Sequence, residues 1–189
     1  MLQILLEPRE DYSIAEQAQM AIEGGATWLV LRSAGMEEPQ IRELASELIP
    51  LCRENAIILT IESHIQLARE LGLHGVLLSC GDDAGSVRID FGAEAIIGAE
   101  TDNPKQILQY EKADIDYIVL RPLQPVDVIA TVRKEGSLIP FVAMGNYTAA
   151  QARELLAQGF NGICTGDPVF SAPDPVACLK EYLVSIAQP

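Results

Sequence analysis

The chain has 189 residues, enough for one domain of ordinary size and too few for two independent cores, so residues 1–189 are expected to form a single domain. With 49% hydrophobic and 21% charged residues the composition is globular, which excludes a disordered or fibrous chain. Thirteen basic against 27 acidic residues give a formal net charge of −14 with no basic block, so neither nucleic acid nor an anionic membrane is an expected partner.

The predicted elements alternate from one end to the other. The start MLQILLEPRED lacks the basic end and long apolar stretch of a signal peptide, and no apolar run reaches membrane-span length, so a cytoplasmic protein is expected. Leu2 to Leu6 reads as a strand, and Ser13 with Glu16 has the spacing of a capping box that opens a helix. Gly24-Gly25-Ala26-Thr27 closes that helix ahead of a strand from Trp28 to Arg32. Ile41, Leu44, Ala45, Leu48, Ile49 and Cys52 share one face of the next helix, which Pro50 is expected to kink or end. Ile57 to Ile61 is the third strand, followed by a capping-box pair in Ser63 and Gln66. Gly72 to Gly75 leads to a strand at Val76 to Leu78, after which Gly81 to Ser86 leaves little room for a full helix. Ala95 to Gly98 and Tyr117 to Leu120 are strands five and six, separated by a helix starting at Asn103-Pro104. Phe141 to Met144 precedes the cap pair Thr148 and Gln151, and Gly159 to Gly162 leads into the eighth strand, Gly162 to Thr165. Asp174-Pro175 starts the last helix.

Eight strand runs in 189 residues leave about 24 residues per unit, which fits a strand, a helix and two short loops. The runs are continuously apolar rather than alternating, as in parallel strands covered on both faces. The pattern predicts a compact (β/α)8 TIM barrel, with an open doubly wound sheet as the competing arrangement. Cys52, Cys80, Cys164 and Cys178 form no close pair and only two histidines are present, so reduced, mostly buried thiols are expected rather than disulfides or zinc.

In such a barrel the reactive groups stand at the C-terminal strand ends. Those positions carry Glu7, Arg9, Arg32, Glu62, Ser63, Ser79, Cys80, Asp82, Glu100, Asp102, Arg121, Gly145, Asn146, Gly166 and Asp167. Planar guanidiniums at Arg32 and Arg121 suit a carboxylate or phosphate, unless each pairs with an acid of the chain itself, Arg9 with Glu7 for example. Glu62, Asp82 and Glu100 are oxygen donors able to hold Mg²⁺, set against the plainer reading of helix caps and solvated acids. His74 falls in a helix-to-strand turn at the opposite end, and His64 reads as a first-turn helix residue. Tyr147 and Cys80 are the other rim groups able to move a proton, with nothing local that activates either.

Six segments in order, covering most of the chain, resemble the thiamine phosphate synthase family, which includes thiazole tautomerases. Gly24 to Arg32 is similar to GGVTxVQLREK, Ile58 to Ala68 to INDRxDLA, and Leu71 to Asp82 to LGADGVHLGQxD. Asp116-Tyr117-Ile118 with Pro122 resembles DYIGVGPVF, Ile139 to Asn146 resembles IPVVAIGG, and Gln158 to Ile163 resembles AGADGVA. The resemblance implies a (β/α)8 barrel that joins a pyrimidine methyl diphosphate to a thiazole phosphate and releases diphosphate with Mg²⁺. It implies a diphosphate-binding role for Arg32, a metal-binding role for Asp82, and a place for Gly145 in the thiazole-phosphate loop. Asn146 replaces that loop's second glycine, Val30 the family's Gln, Ala34 its Lys, Glu62 and Ser63 its Asn-Asp pair, and Glu100 a serine. The TxTK stretch is replaced by Leu123-Gln124-Pro125-Val126, and Asp167 replaces the phosphate-loop serine.

The expected function is therefore synthase-like, with Arg32, Arg121, Gly145 and Asn146 binding phosphate, Asp82 and Glu62 holding any metal, and turnover weak or lost. A non-catalytic small-ligand or regulatory barrel and a thiazole tautomerase-like isomerase are the alternatives. The sequence leaves open whether the chain forms a homo-oligomer.

Overall fold

The computed structural model describes residues 1–79, 82–121 and 125–187, with backbone only at Pro125 and Val126. Eight strands, β1 (Leu2–Leu6), β2 (Trp28–Leu31), β3 (Ile58–Glu62), β4 (Gly75–Leu78), β5 (Ile96–Glu100), β6 (Tyr117–Leu120), β7 (Phe141–Met144) and β8 (Gly162–Thr165), pair in chain order. All pairs are parallel, and β1 closes the ring on β8 through Leu2 with Ile163 and Ile4 with Thr165. The competing open sheet is thereby excluded.

Alternation along each strand divides the core in two. Ile4, Leu6, Leu29, Leu31, Ile61, Ile97, Ile118 and Phe141 belong to a cluster shared with helix residues such as Ala18, Ile41 and Ala152. Leu5, Trp28, Val30, Leu77, Tyr117, Val119, Val142, Met144 and Cys164 form a second cluster drawn from strands alone, which is the barrel lumen. Low in the lumen the Trp28 indole N–H donates to the Thr60 hydroxyl at 3.0 Å, and Tyr117 meets Trp28 edge-on at 5.5 Å. Gly98 leaves room for Tyr117, since a Cβ there would lie 2.2 Å from a Tyr117 ring carbon.

The helices are α1 (Ile14–Glu23), α2 (Glu38–Glu54), α3 (Ile65–Glu70), α4 (Ala84–Phe91), α5 (Pro104–Lys112), α6 (Pro125–Lys134), α7 (Ala149–Ala157), α8 (Asp167–Phe170) and α9 (Pro175–Ala187). The expected caps at Ser13, Asn103, Thr148 and Asp174 each accept a first-turn amide. Three expectations need correction. Pro50 does not end α2, because Ile41, Ala45, Leu48 and Cys52 anchor the helix on both sides of it, while Pro50 and Ser46, whose carbonyl loses its partner, face water. Ser63 is not a cap: Ser63 and His64 both take left-handed backbone angles (φ 52° and 47°), which places His64 at the N-cap without a side-chain bond. The fourth unit does contain a helix, α4, opened by Asp83 accepting from the Gly85 amide at 3.2 Å. α4 is tied down by Arg88, which donates to the Ala95 and Asp114 carbonyls and to Asp116. Among the described residues no helix is long and apolar enough to cross a membrane.

Candidate functional site

The period of two that fills the lumen also fixes what stands at its mouth. Continuing the inward series from Trp28 and Val30 brings Arg32 to the rim, Ile58 and Thr60 lead to Glu62, Ile96 and Gly98 to Glu100, and Tyr117 and Val119 to Arg121. Arg32, Glu62, Asp82, Glu100, Arg121 and Asn146 all lie at or beyond C-terminal ends of parallel strands, and so at one mouth. Its floor is apolar, formed by Val30, Leu77, Val119, Met144 and the fully buried Cys164. A cavity of about 450 Å³ opens beside it, bounded by Ser79, Glu100, Thr101, Asp102, Val119 and Arg121.

Both candidate arginines are held by acids of the chain itself. Arg121 binds Glu100 in a two-point fork, Nε to Oε1 at 2.6 Å and Nη2 to Oε2 at 3.1 Å, and Nη2 also lies 3.7 Å from Glu62 Oε1. Arg32 Nη1 donates to Glu7 Oε2 at 3.1 Å. The expected pairing of Arg9 with Glu7 is not what forms: Arg9 binds Asp11 and Asp167 instead. Arg32 and Arg121 remain about a third and two-fifths exposed, so a ligand can reach them only in competition with Glu7 and Glu100.

Glu62 differs from the other acids. Its side chain is 10% exposed, and Arg121, its nearest cation, is already forked to Glu100. Burial pushes its carboxyl above the ordinary carboxylate range; Arg32 and Arg121 pull it back in part, and Glu100 adds to the rise. The Ser33 hydroxyl donates to the Glu62 carbonyl at 2.6 Å and fixes the backbone there, a contact no sequence signal announced. Beneath, desolvation raises the Cys164 thiol far above its normal range, so it is an inert part of the floor.

Asp82 turns back on its own loop, accepting the Ser79 amide at 2.8 Å, and the Ser63 and Ser79 hydroxyls meet at 2.7 Å. Among the described residues no three His, Cys, Asp or Glu side chains gather where a metal ion could sit. With Glu62 facing Arg121, Glu100 forked to it and Asp82 on a backbone amide, these three carboxylates do not by themselves fit a Mg²⁺ site. Gly145 is half-buried against the Tyr147 ring, and Asn146 is exposed. Burial pushes the Tyr147 phenol up to about 12, while the Tyr182 hydroxyl donates to the Tyr147 carbonyl and anchors this loop. Cys80 lies outside the described residues. His74 is exposed at the opposite end, its Nδ1 accepting the Leu59 amide at 3.1 Å.

A closed barrel whose charged groups converge above an apolar floor defines a (β/α)8 protein with its site at the C-terminal mouth. The sequence profile of the thiamine monophosphate synthase family matches residues 3–169, and the chain belongs to that family. It is 31% identical to a thiamine-phosphate synthase of Bacteroides fragilis over 96% of this chain and 98% of that protein, and 28% identical to one of Geobacillus kaustophilus over 86% and 80%. Among solved structures it is similar to a thiamine phosphate pyrophosphorylase from Pyrococcus furiosus, with a TM-score of 0.81 and 26% identity over 99% of this chain and 95% of that one. A 3-hexulose-6-phosphate synthase from Salmonella typhimurium, at TM-score 0.75 and 14% identity, shares the fold alone.

Proposed function

We propose that this thiamine phosphate synthase-like barrel binds an anionic, singly phosphorylated heterocycle such as thiazole phosphate, and that it forms thiamine phosphate slowly or not at all. The observation that carries the reading is that Arg32 and Arg121 are each already neutralised by a carboxylate of the chain. When diphosphate leaves a pyrimidine methyl group, charge builds on the departing oxygens, and positioned cations raise the rate by stabilising that charge more than they stabilise bound substrate. Here the cations are committed before substrate arrives, and Glu7, Glu62 and Glu100 oppose a second phosphoryl group at close range. One anion can displace Glu7 or Glu100 from one guanidinium; a diphosphate meets the remaining acids.

The testing experiment is a coupled assay for thiamine phosphate formation by the purified protein, with and without Mg²⁺, the ion that the family resemblance implies. Arg32→Ala and Asp82→Ala serve as controls. Turnover near background is expected; robust turnover abolished by both substitutions overturns the reading. Calorimetric titration should give tighter binding of thiazole phosphate than of pyrimidine diphosphate in the absence of metal, and the reverse order refutes the charge argument.

The tautomerase-like alternative gains support from Glu62, a buried carboxyl with a raised pKa above an apolar floor, which suits a group that takes a proton and returns it. In that case Glu62→Gln abolishes isomerisation of a thiazole carboxylate phosphate while leaving its binding within a few-fold. Binding without any turnover, in either assay, favours the non-catalytic barrel. We place the protein in the cytoplasm, a reading supported by the free thiols of Cys52, Cys164 and Cys178.

A further inference from the structure

The third rim arginine plays no part in the cluster around Glu62. Arg9 follows β1 and reaches across to the segment after the neighbouring strand β8, 158 positions away. Its side chain is only 10% exposed and lies against Phe170, with the guanidinium carbon 5.9 Å from the ring centre. Nη1 donates to Asp167 Oδ1 at 3.0 Å, and Nη2 donates to Asp11 Oδ2 at 3.1 Å and to the Ser171 hydroxyl at 3.0 Å. The Ser171 hydroxyl in turn donates to the same Asp167 oxygen at 2.9 Å. Nε of Arg9 is buried without a partner among the described residues.

Two features set this apart from a surface ion pair. The cation is largely covered and held by three side-chain hydrogen bonds, whereas the Asp167 carboxylate on top of it is 46% exposed. A single oxygen of Asp167 also receives a guanidinium N–H and a serine O–H together, the pair of donors that would grip one oxygen of a phosphate monoester. The corner between the last strand and the short helix after it is where (β/α)8 barrels frequently hold phosphate.

We propose that Asp167 is an internal oxyanion filling an anion subsite built by Arg9 and Ser171, so that the barrel selects against ligands carrying a phosphoryl group at the β8 corner. Asp167 is then a specificity-determining residue. With this corner filled from within, the ligand's one anionic group is confined to the side of the mouth held by Arg32 and Arg121. The inference does not need synthase turnover, because inorganic phosphate reads the subsite directly.

The experiment is calorimetric titration of inorganic phosphate into the wild type, Asp167→Ser, and Asp167→Ser combined with Arg9→Met. Removing the internal carboxylate should tighten phosphate binding tenfold or more over the wild type, and loss of Arg9 should cancel the gain. Asp167→Asn, of nearly the same shape, provides a second route should the serine variant fold poorly, and it should move in the same direction. Phosphate should also raise the melting temperature of the single variants by more than that of the wild type, since stabilisation by a ligand grows with its affinity for the folded state. Equal phosphate affinity in wild type and single variants, or a gain that survives Arg9→Met, overturns the assignment.

Discussion

The eight strands carry opposite chemistry on their helix-facing wall and at their C-terminal mouth. On the wall, Ile4, Leu31, Ile61 and Phe141 are completely buried among aliphatic neighbours, each held by many small contacts that no single partner controls. At the mouth, one residue beyond Ile61 or Leu31, Glu62 and Arg32 are held by a few long-range charges. A wall of this kind tolerates drift in sequence as long as volume and pattern persist, whereas exchanging one rim lysine or serine for an acid reverses the local field. The fold therefore places few demands on the charges at its mouth, because burial and rim chemistry are nearly independent.

The comparison can be broken first at the wall. Phe141→Ala should cost about 3–5 kcal/mol, the usual range for emptying a buried aromatic site. Phe141 also lies beneath the Arg133 guanidinium at 5.0 Å, so the loss should fall toward the upper end. Urea unfolding measures it, and a cost below about 1 kcal/mol would show a wall less tightly packed than its burial indicates.

A mouth residue should matter less to stability. Arg121→Ala leaves Glu62 and Glu100 facing each other, at an expected cost of about 1 kcal/mol near neutral pH, limited because the guanidinium is 43% exposed. The cost should shrink as pH falls and the Glu62 carboxyl takes up its proton, since its pKa is raised in the fold. An equal loss at pH 4 and pH 7 would mean that Arg121 acts through packing rather than charge.

A smaller effect of opposite sign should come from Glu62→Gln. The folded-state pKa of Glu62 lies above its unfolded value, so its contribution to stability is fully present below the unfolded value and is lost as pH rises through the folded one. The neutral variant should therefore melt higher than the wild type at pH 7, and the gap should close near pH 4. A variant less stable than wild type at pH 7 would show that the attraction of Arg121 outweighs burial.

Much of the wall was legible because its signals are local. Continuous apolar runs located all eight strands, and Ser13, Asn103, Thr148 and Asp174 marked helix starts by chemistry completed within four residues. The same reasoning failed where a neighbour outside the window intervened. Ser63 has capping spacing but is turned by a left-handed backbone toward Ser79, and Pro50 is carried by a helix face packed against the sheet. The short helix α8 was missed, since four residues starting at Asp167-Pro168 carry no periodicity.

What the sequence alone determined is the ring and which residues reach its rim. The strand period of two and the repeat of about 24 residues place Arg32, Glu62, Glu100 and Arg121 at one end, whatever their partners. Only the tertiary structure decided how those charges pair. Arg32 meets Glu7 across 25 positions, Arg121 meets Glu100 across 21, and Arg9 meets Asp167 across 158. The raised pKa of Glu62 likewise follows from its burial, with Arg32 and Arg121 opposing the rise and Glu100 adding to it from other parts of the ring. Charge pairing and desolvation act through space at a few ångströms, and distance along the chain does not fix distance in space until the barrel closes.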